Sequence, residues 1–240
     1  MTSTTAWDSP WQQGLKDAMP LLGGYIPVAI SFGLISLQAG FNVWETILIS
    51  TVIYAGSSQF LFVAMVASGA PLWFVVIMTL LINARHVVYG PNIAQFLDGD
   101  KRWLGLMHGL TDQIFALAHT RLPQMPSEAR MGWYTAAATL AWFSWIGGTA
   151  LGAFAGGELT SRWPVIGEVL PFALPALFFV LVIPRCNNLL WTVTLGTAAV
   201  LALVIKLIGY PNGAIPLAAL CGAAVFYALK DRPVPKGDAQ

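Results

Sequence analysis

The sequence predicts an all-α polytopic membrane protein with seven or eight transmembrane segments, some of them broken by proline or glycine. Three observations carry this. Hydrophobic residues make up 57% of the 240 and charged residues only 10%, with a mean hydropathy of +0.68, whereas about a quarter of a soluble domain is charged. Apolar stretches near the ~20 residues a helix needs to cross the hydrocarbon recur along the chain. Tryptophans, 10 in all, gather near the ends of these stretches at Trp7, Trp11, Trp44, Trp73, Trp103, Trp133 and Trp163. That is the pattern of an interfacial aromatic belt rather than of a ligand site.

Breaks at charges, Gly-Pro pairs and polar clusters delimit segments at 20–38, 46–67, 72–89, 103–119, 131–156, 169–183, 190–208 and 213–229. Little chain is left over, so the reading is one membrane domain over 1–240, with an N-terminal tail at 1–17 and a C-terminal tail at 230–240. The start carries Asp8, Lys16 and Asp17 and lacks the basic head and short apolar core of a cleaved signal peptide, so the first segment is read as retained. The fourth segment, 103–119, is short and contains His108, Thr111, Asp112 and Gln113. It either crosses, shielded by protein, or re-enters and returns to the same side. With eight crossings, seven Lys and Arg residues fall on the side of the termini and four on the other, which puts both termini in the cytoplasm.

Prolines early in two apolar segments form one internal echo, Pro20 and Pro27 in the first and Pro171 and Pro175 in the sixth. Either two halves share a repeat with broken helices at its centre, or the echo reflects the frequency of proline in membrane helices. Pro27, Gly56 and Pro175 are the candidate helix breaks.

Several function classes are excluded by what the chain lacks. A net charge of +1 gives no nucleic-acid footprint. No Gly-rich phosphate loop points to a nucleotide, no cofactor motif is present, and His86, His108 and His119 have no metal-ligand spacing. The two cysteines, Cys186 and Cys221, are far apart and read as packing residues. No constellation suggests an enzyme.

Two polar clusters interrupt the apolar segments. The second segment holds Tyr54-Ala55-Gly56-Ser57-Ser58-Gln59. An interrupted helix there would free backbone amides and carbonyls for a zwitterion, with Tyr54, Ser57 and Gln59 as ligands; the other reading is close helix packing through the small residues. The third segment holds Asn83, Arg85, His86 and Tyr89, and Arg85 is the only charge between Glu45 and Asp98. If Pro91 ends the helix, Arg85 is about one turn from the end and snorkels to water. If the helix continues past Pro91, Arg85 lies near mid-membrane and needs a partner, for which Asp112 is the natural counter-charge. Protonation of the acid or of His86 would then break the pair. The other use for Asp112 is to cap a half-helix.

Together these motifs resemble the AzlC-type branched-chain amino-acid exporters, the large subunit of a two-component permease. The residues that carry the resemblance are Tyr25-Ile26-Pro27-Val28-Ala29 with Phe32-Gly33, Tyr54-Ala55-Gly56-Ser57-Ser58-Gln59-Phe60, Arg85-His86-Val87-Val88-Tyr89-Gly90, Gly109-Leu110-Thr111-Asp112 and Leu174-Pro175-Ala176-Leu177-Phe178. They stand in family order and cover about residues 14–228. The resemblance implies a multi-pass transporter of the bacterial inner membrane that exports valine, leucine, isoleucine or methionine and works with a small AzlD-type membrane subunit. Proton coupling is the expected driving force, with Arg85, His86 and Asp112 as coupling or carboxylate-binding residues. A passive pore in which Arg85 selects anions is the other expectation. The family commonly shows Asp-Glu where this chain has Asp112-Gln113, so a proton carried by that glutamate would here have to be carried by Asp112 or elsewhere.

Overall fold

The computed structural model describes residues 9–97, 105, 107–169, 172, 176, 179 and 182–230. The described residues form helices and no strand. They divide into two compact units, Met1–Ala176 and Leu177–Gln240, each taken by itself below.

The first unit contains α1 (Pro10–Gln38), α2 (Val43–Ile53), α3 (Gly56–Ala67), α4 (Leu72–Asn83), α5 (His86–Ala94), α6 (Asp112–Arg121), α7 (Ser127–Arg162) and the short α8 (Pro164–Val169). Glycine ends α1 and α3: Gly40 and Gly69 take positive φ, and the following amides bond back to the carbonyls of Ser36 and Met65. Asn42 then starts α2 with a capping box, accepting from the Glu45 amide while the Glu45 carboxylate accepts from its own.

Two corrections to the sequence reading arise in α1. The helix begins at Pro10, so residues 10–17 of the predicted N-terminal tail are helical, and Asp17 lies inside the helix. Pro27 does not break it: α1 runs through both Pro20 and Pro27. Proline forfeits the hydrogen bond to the carbonyl four residues back and crowds it. At Pro27 that residue is Gly23, around which space is open, and packing along α7 holds the helix on course.

The α1–α7 seam is the backbone of this unit. A Cβ on Gly14 would overlap the Trp133 carbonyl, one on Gly33 the Thr149 carbonyl, and one on Gly152 the Ile30 carbonyl, while Gly156 rests against Leu34. The two main chains therefore touch along most of α1. Positions rise together on both helices, so α1 and α7 run parallel. Small residues permit this approach, and in a membrane dispersion contacts of this kind drive helix association. Ser50 of α2 joins the seam through a 2.7 Å hydrogen bond with Thr149 in its buried centre. Gly152→Val is expected to cost at least about 1–3 kcal/mol, since carbonyl backbone cannot yield to the new side chain. Gly157→Ala on the same helix meets nothing within 4 Å and is expected to leave the melting temperature in detergent unchanged.

Trp133 corrects the aromatic belt. It is fully buried, and its indole N–H donates to Asp17 at 2.9 Å. Trp11, Trp44, Trp73 and Trp163 are exposed, as a belt requires.

The second unit contains α9 (Leu189–Leu207) and α10 (Pro211–Leu229), an antiparallel pair closed by a turn at Gly209 with positive φ. Gly222 packs on Ala198 and Thr194, and Trp191 meets Phe226 at 4.9 Å between ring centroids. Most of the predicted segment 169–183, with Pro171 and Pro175, lies outside the described residues.

Among the described residues three helical stretches are long and apolar enough to cross a membrane: Pro10–Gln38, Leu72–Ala94 and Leu189–Leu207. Their exposed side chains include Leu72, Trp73, Leu80, Leu81, Val87, Val200 and Leu207. Apolar surface of that extent is stable in lipid and not in water.

Candidate functional site

The second and third predicted segments are each two helices rather than one. The second breaks at Tyr54 and Ala55, with Gly56 already the first residue of α3. Tyr54 ends α2 in the left-handed region at φ 37°, ψ 50°, and Ala55 is extended. A bulky non-glycine residue at positive φ is strained by about 1–3 kcal/mol and persists only where its surroundings hold it. Here they do: Tyr54 is buried, edge-on to Trp145 at 6.2 Å and tilted on His108 at 6.0 Å.

The break leaves backbone groups to be satisfied. The Thr51 carbonyl accepts from Trp142 Nε1 at 3.3 Å and lies 2.8 Å from His108 Nε2. At the other side of the break no side chain caps the first turn of α3.

The third segment tightens at Ala84 and Arg85. The Val87 amide bonds to the Ala84 carbonyl instead of that of Asn83, and the Asn83 carbonyl instead faces His86 Nδ1 at 2.9 Å. Beyond this kink α5 continues through Pro91 to Ala94. Arg85 is therefore well inside the apolar stretch Leu72–Ala94, about 20 Å from its start at 1.5 Å per residue. The structure follows the reading in which the helix passes Pro91 and the arginine needs a partner.

That partner is Asp112. Arg85 Nη1 lies 2.9 Å from Asp112 Oδ2, and the Tyr89 hydroxyl donates to Asp112 Oδ1 at 3.1 Å. Tyr89 is in turn stacked on Phe115 of α6 at 4.1 Å and 12°. Asp112 is the first residue of α6, but the capping task falls to Thr111, whose hydroxyl accepts from the Ile114 amide. Thr111 also hydrogen-bonds the Tyr25 hydroxyl, which donates to Gln113 Oε1 at 3.1 Å. The fourth predicted segment thus carries a ten-residue helix whose start is tied to α1 by Tyr25 and to α5 by the ion pair.

His86 binds the two pieces together. Its Nε2 lies 2.7 Å from the Leu110 carbonyl, on the opposite side of the ring from the Asn83 carbonyl. Two carbonyl oxygens can both be hydrogen-bonded only by a ring with hydrogen on each nitrogen; a neutral ring satisfies one.

Ile53, Tyr54, Asn83, His86, Met107 and His108 line an open cavity of about 370 Å³ between the two breaks. That is within the range of small-molecule sites. A second cavity of about 220 Å³, lined by Gly105, Gly109, Ala138, Thr139 and Trp142, shares His108 with the first. Several buried polar atoms around the breaks have no partner among the described residues: Ser57 Oγ, Gln59 Nε2, Asn83 Oδ1 and Arg85 Nε. The Tyr54 hydroxyl has no well-formed hydrogen bond and lies beside that of Tyr25. Such atoms cost about 1–3 kcal/mol each when left unmet, which is tolerable where a ligand completes them.

The predicted residues Tyr54, Asn83, Arg85, His86, Tyr89 and Asp112 are thus brought around one region of the first unit, with Ser57 and Gln59 on the first turn of α3. Tyr25, His108 and Trp145 belong to the same region and were not selected from the sequence. Tyr25 lies beside Pro27 in a motif whose residue types assign it no role, and Trp145 carries no signal beyond its type. Among the described residues no cluster of His, Cys, Asp and Glu could hold a metal ion.

Comparison with known proteins fits this architecture. Residues 20–159 match the family described as AzlC protein. The chain is 36% identical over 230 residues to the "Inner membrane protein YgaZ" of Escherichia coli, covering 92% of this chain and 91% of the relative. It is 32% identical over 218 residues to an "Uncharacterized membrane protein" of Archaeoglobus fulgidus, covering 88% and 92%. It is 28% identical over 169 residues to the "Branched-chain amino acid transport protein AzlC" of Bacillus subtilis, covering 70% and 64%. No solved structure matches.

Proposed function

The chain belongs to the AzlC family of membrane transport proteins, and from that premise we propose that it is a secondary exporter of branched-chain and other hydrophobic amino acids. Valine, leucine, isoleucine and methionine are the substrates of this reading, and the bacterial inner membrane is its site. The observation that carries it is the meeting of two interrupted helices at one cavity, with unpaired buried donors and acceptors beside it. Discontinuous helices present positive amide ends and negative carbonyl ends within an apolar span, which suits a zwitterion. Asn83, Tyr54, Ser57, Gln59 and Arg85 supply the polar contacts, and the smaller cavity beside His108 and Trp142 offers apolar wall for the side chain.

Proton coupling is assigned to Asp112 with His86. Protonating Asp112 removes its attraction for Arg85 and so loosens α6 from α5, while His86 lies beside the pair and bridges to the Leu110 carbonyl. A carrier needs such a change, because substrate must bind the two facings with different affinity. Asp112→Asn is expected to remove the pH dependence of export; an intact variant with an unaltered pH profile would sink the proton role.

All 240 residues serve one transport domain in this reading, with both tails cytoplasmic. The parallel course of α1 and α7 supports eight crossings: two parallel helices need an odd number of crossings between them, which segments 46–67, 72–89 and 103–119 supply if the last one crosses. A small AzlD-type membrane subunit completes the transporter. The test is efflux of radiolabelled valine, leucine and methionine from loaded cells. Export is expected with chain and small subunit together, and equal efflux with and without the chain would refute the assignment.

A further inference from the structure

The Gln59 side chain has one amide oxygen and one amide nitrogen, and its surroundings decide which faces which way. Trp145 Nε1 lies 3.0 Å from it. An indole N–H can only donate, so the atom it meets has to be the oxygen. The amide nitrogen, with its two hydrogens, is thereby turned away from Trp145. It is fully buried and has no acceptor among the described residues. Trp145, on α7, is itself buried and held edge-on between Tyr25 of α1 at 5.5 Å and Tyr54 at the end of α2 at 6.2 Å, so its N–H direction is set by these two rings rather than by Gln59.

Gln59 sits on the first turn of α3, beside amides that no side chain caps and beside the unpaired Ser57 hydroxyl. Uncapped amides and an amide NH2 are all donors. The opposite polarity occurs at Asn83, at the end of α4, where the unpaired atom is the acceptor Oδ1 and the residue lines the larger cavity.

We infer that Trp145 is a positioning residue that locks the Gln59 amide as a donor for the substrate carboxylate, leaving the ammonium group to the Asn83 side. This rests on the amino-acid transport reading above and adds to it the polarity of the bound zwitterion. A glutamine free to rotate would present oxygen as readily as nitrogen and would accept an ammonium or a neutral amide in the same place. Locked, it rejects a ligand whose carboxylate is replaced.

The test uses the full chain reconstituted in liposomes with its small subunit, with valine counterflow as the readout and two competitors. Valinamide lacks the carboxylate and isovalerate lacks the ammonium group. Wild-type protein is expected to prefer valine over valinamide by about 10- to 100-fold, the worth of a hydrogen bond to a charged group. Trp145→Phe keeps a ring between the two tyrosines and removes the N–H. It is expected to lower that preference about tenfold while the preference for valine over isovalerate holds. Gln59→Met, which fills the same space without a donor, should lower it equally, and a purely packing role for Trp145 would not move this ratio. An unchanged valine-to-valinamide ratio in both variants, or no preference in the wild type, overturns the inference and leaves the carboxylate to Arg85. Absence of valine counterflow in the wild type instead refutes the transport reading beneath it.

Discussion

Arg85→Ala is expected to abolish amino-acid counterflow and to destabilise the protein by about 3–5 kcal/mol, the usual cost of leaving one member of a buried ion pair alone. The pair is well shielded, with side chains 24% and 19% exposed, and it lies in a stretch whose surface faces lipid. Without Arg85 the Asp112 carboxylate keeps, among the described residues, the Tyr89 hydroxyl alone. Asp112→Ala should cost a similar amount for the reciprocal reason, since Arg85 Nε already lacks a partner among the described residues and Nη1 would lose its own. Removing both charges together should recover much of the stability, because no charge is then left unmet. It should recover none of the transport, if the pair serves the transport cycle. Thermal denaturation in detergent and counterflow, measured on the three variants, separate the two effects. Single variants as stable as the wild type would show that water reaches the pair.

The second large effect is expected at the other end of α6. Asp17 accepts from Arg121 Nε at 2.9 Å and Nη2 at 2.8 Å, from Gln13 Nε2 at 2.9 Å and from Trp133 Nε1 at 2.9 Å. A bidentate arginine and two further donors leave the carboxylate saturated, in an arrangement that joins α1, α6 and α7. Asp17→Ala orphans all four donors, of which the Trp133 N–H is on a fully buried ring, so a loss of about 3–5 kcal/mol is expected. Asp17→Asn should do nearly as badly, because its NH2 meets a guanidinium with no acceptor to offer. Loss of α6 docking would be read as rapid proteolysis near Arg121 and a lowered melting temperature. A melting temperature within a degree of the wild type would contradict this role for Asp17.

These two ion pairs show what could be read from the residues and what could not. The Arg85–Asp112 pair was legible because each charge stands alone in its apolar stretch, and a lone charge in lipid needs a partner. Asp17–Arg121 was hidden, since both residues fell where the sequence reads as a tail and a connection, and charges there need no explanation. Helical character and the polarity at residues 54–59 and 83–89 followed from local chemistry. The place of the break did not: Gly56 has the freer backbone, yet Tyr54 takes the left-handed turn, because tertiary packing against Trp145 and His108 overrides local preference. Pro27 misled in the opposite sense, the glycine four residues before it and the close α7 seam carrying the helix past the proline. Trp145 could not have been singled out by spacing, as its partner Gln59 is 86 positions away.

What unites these observations is an open pocket between two interrupted helices in a unit that also carries a half-helix held at its start by Arg85, His86 and Tyr25 and at its end by Asp17. A carrier built this way must alternate, and a pore need not. The most direct measurement is counterflow of radiolabelled valine in liposomes containing the full chain and the proposed AzlD-type small subunit. Unlabelled valine inside the vesicles is predicted to accelerate entry of labelled valine, with saturation and with loss of both effects in Asp112→Ala. Entry that rises linearly with concentration and is indifferent to trans valine would contradict the account.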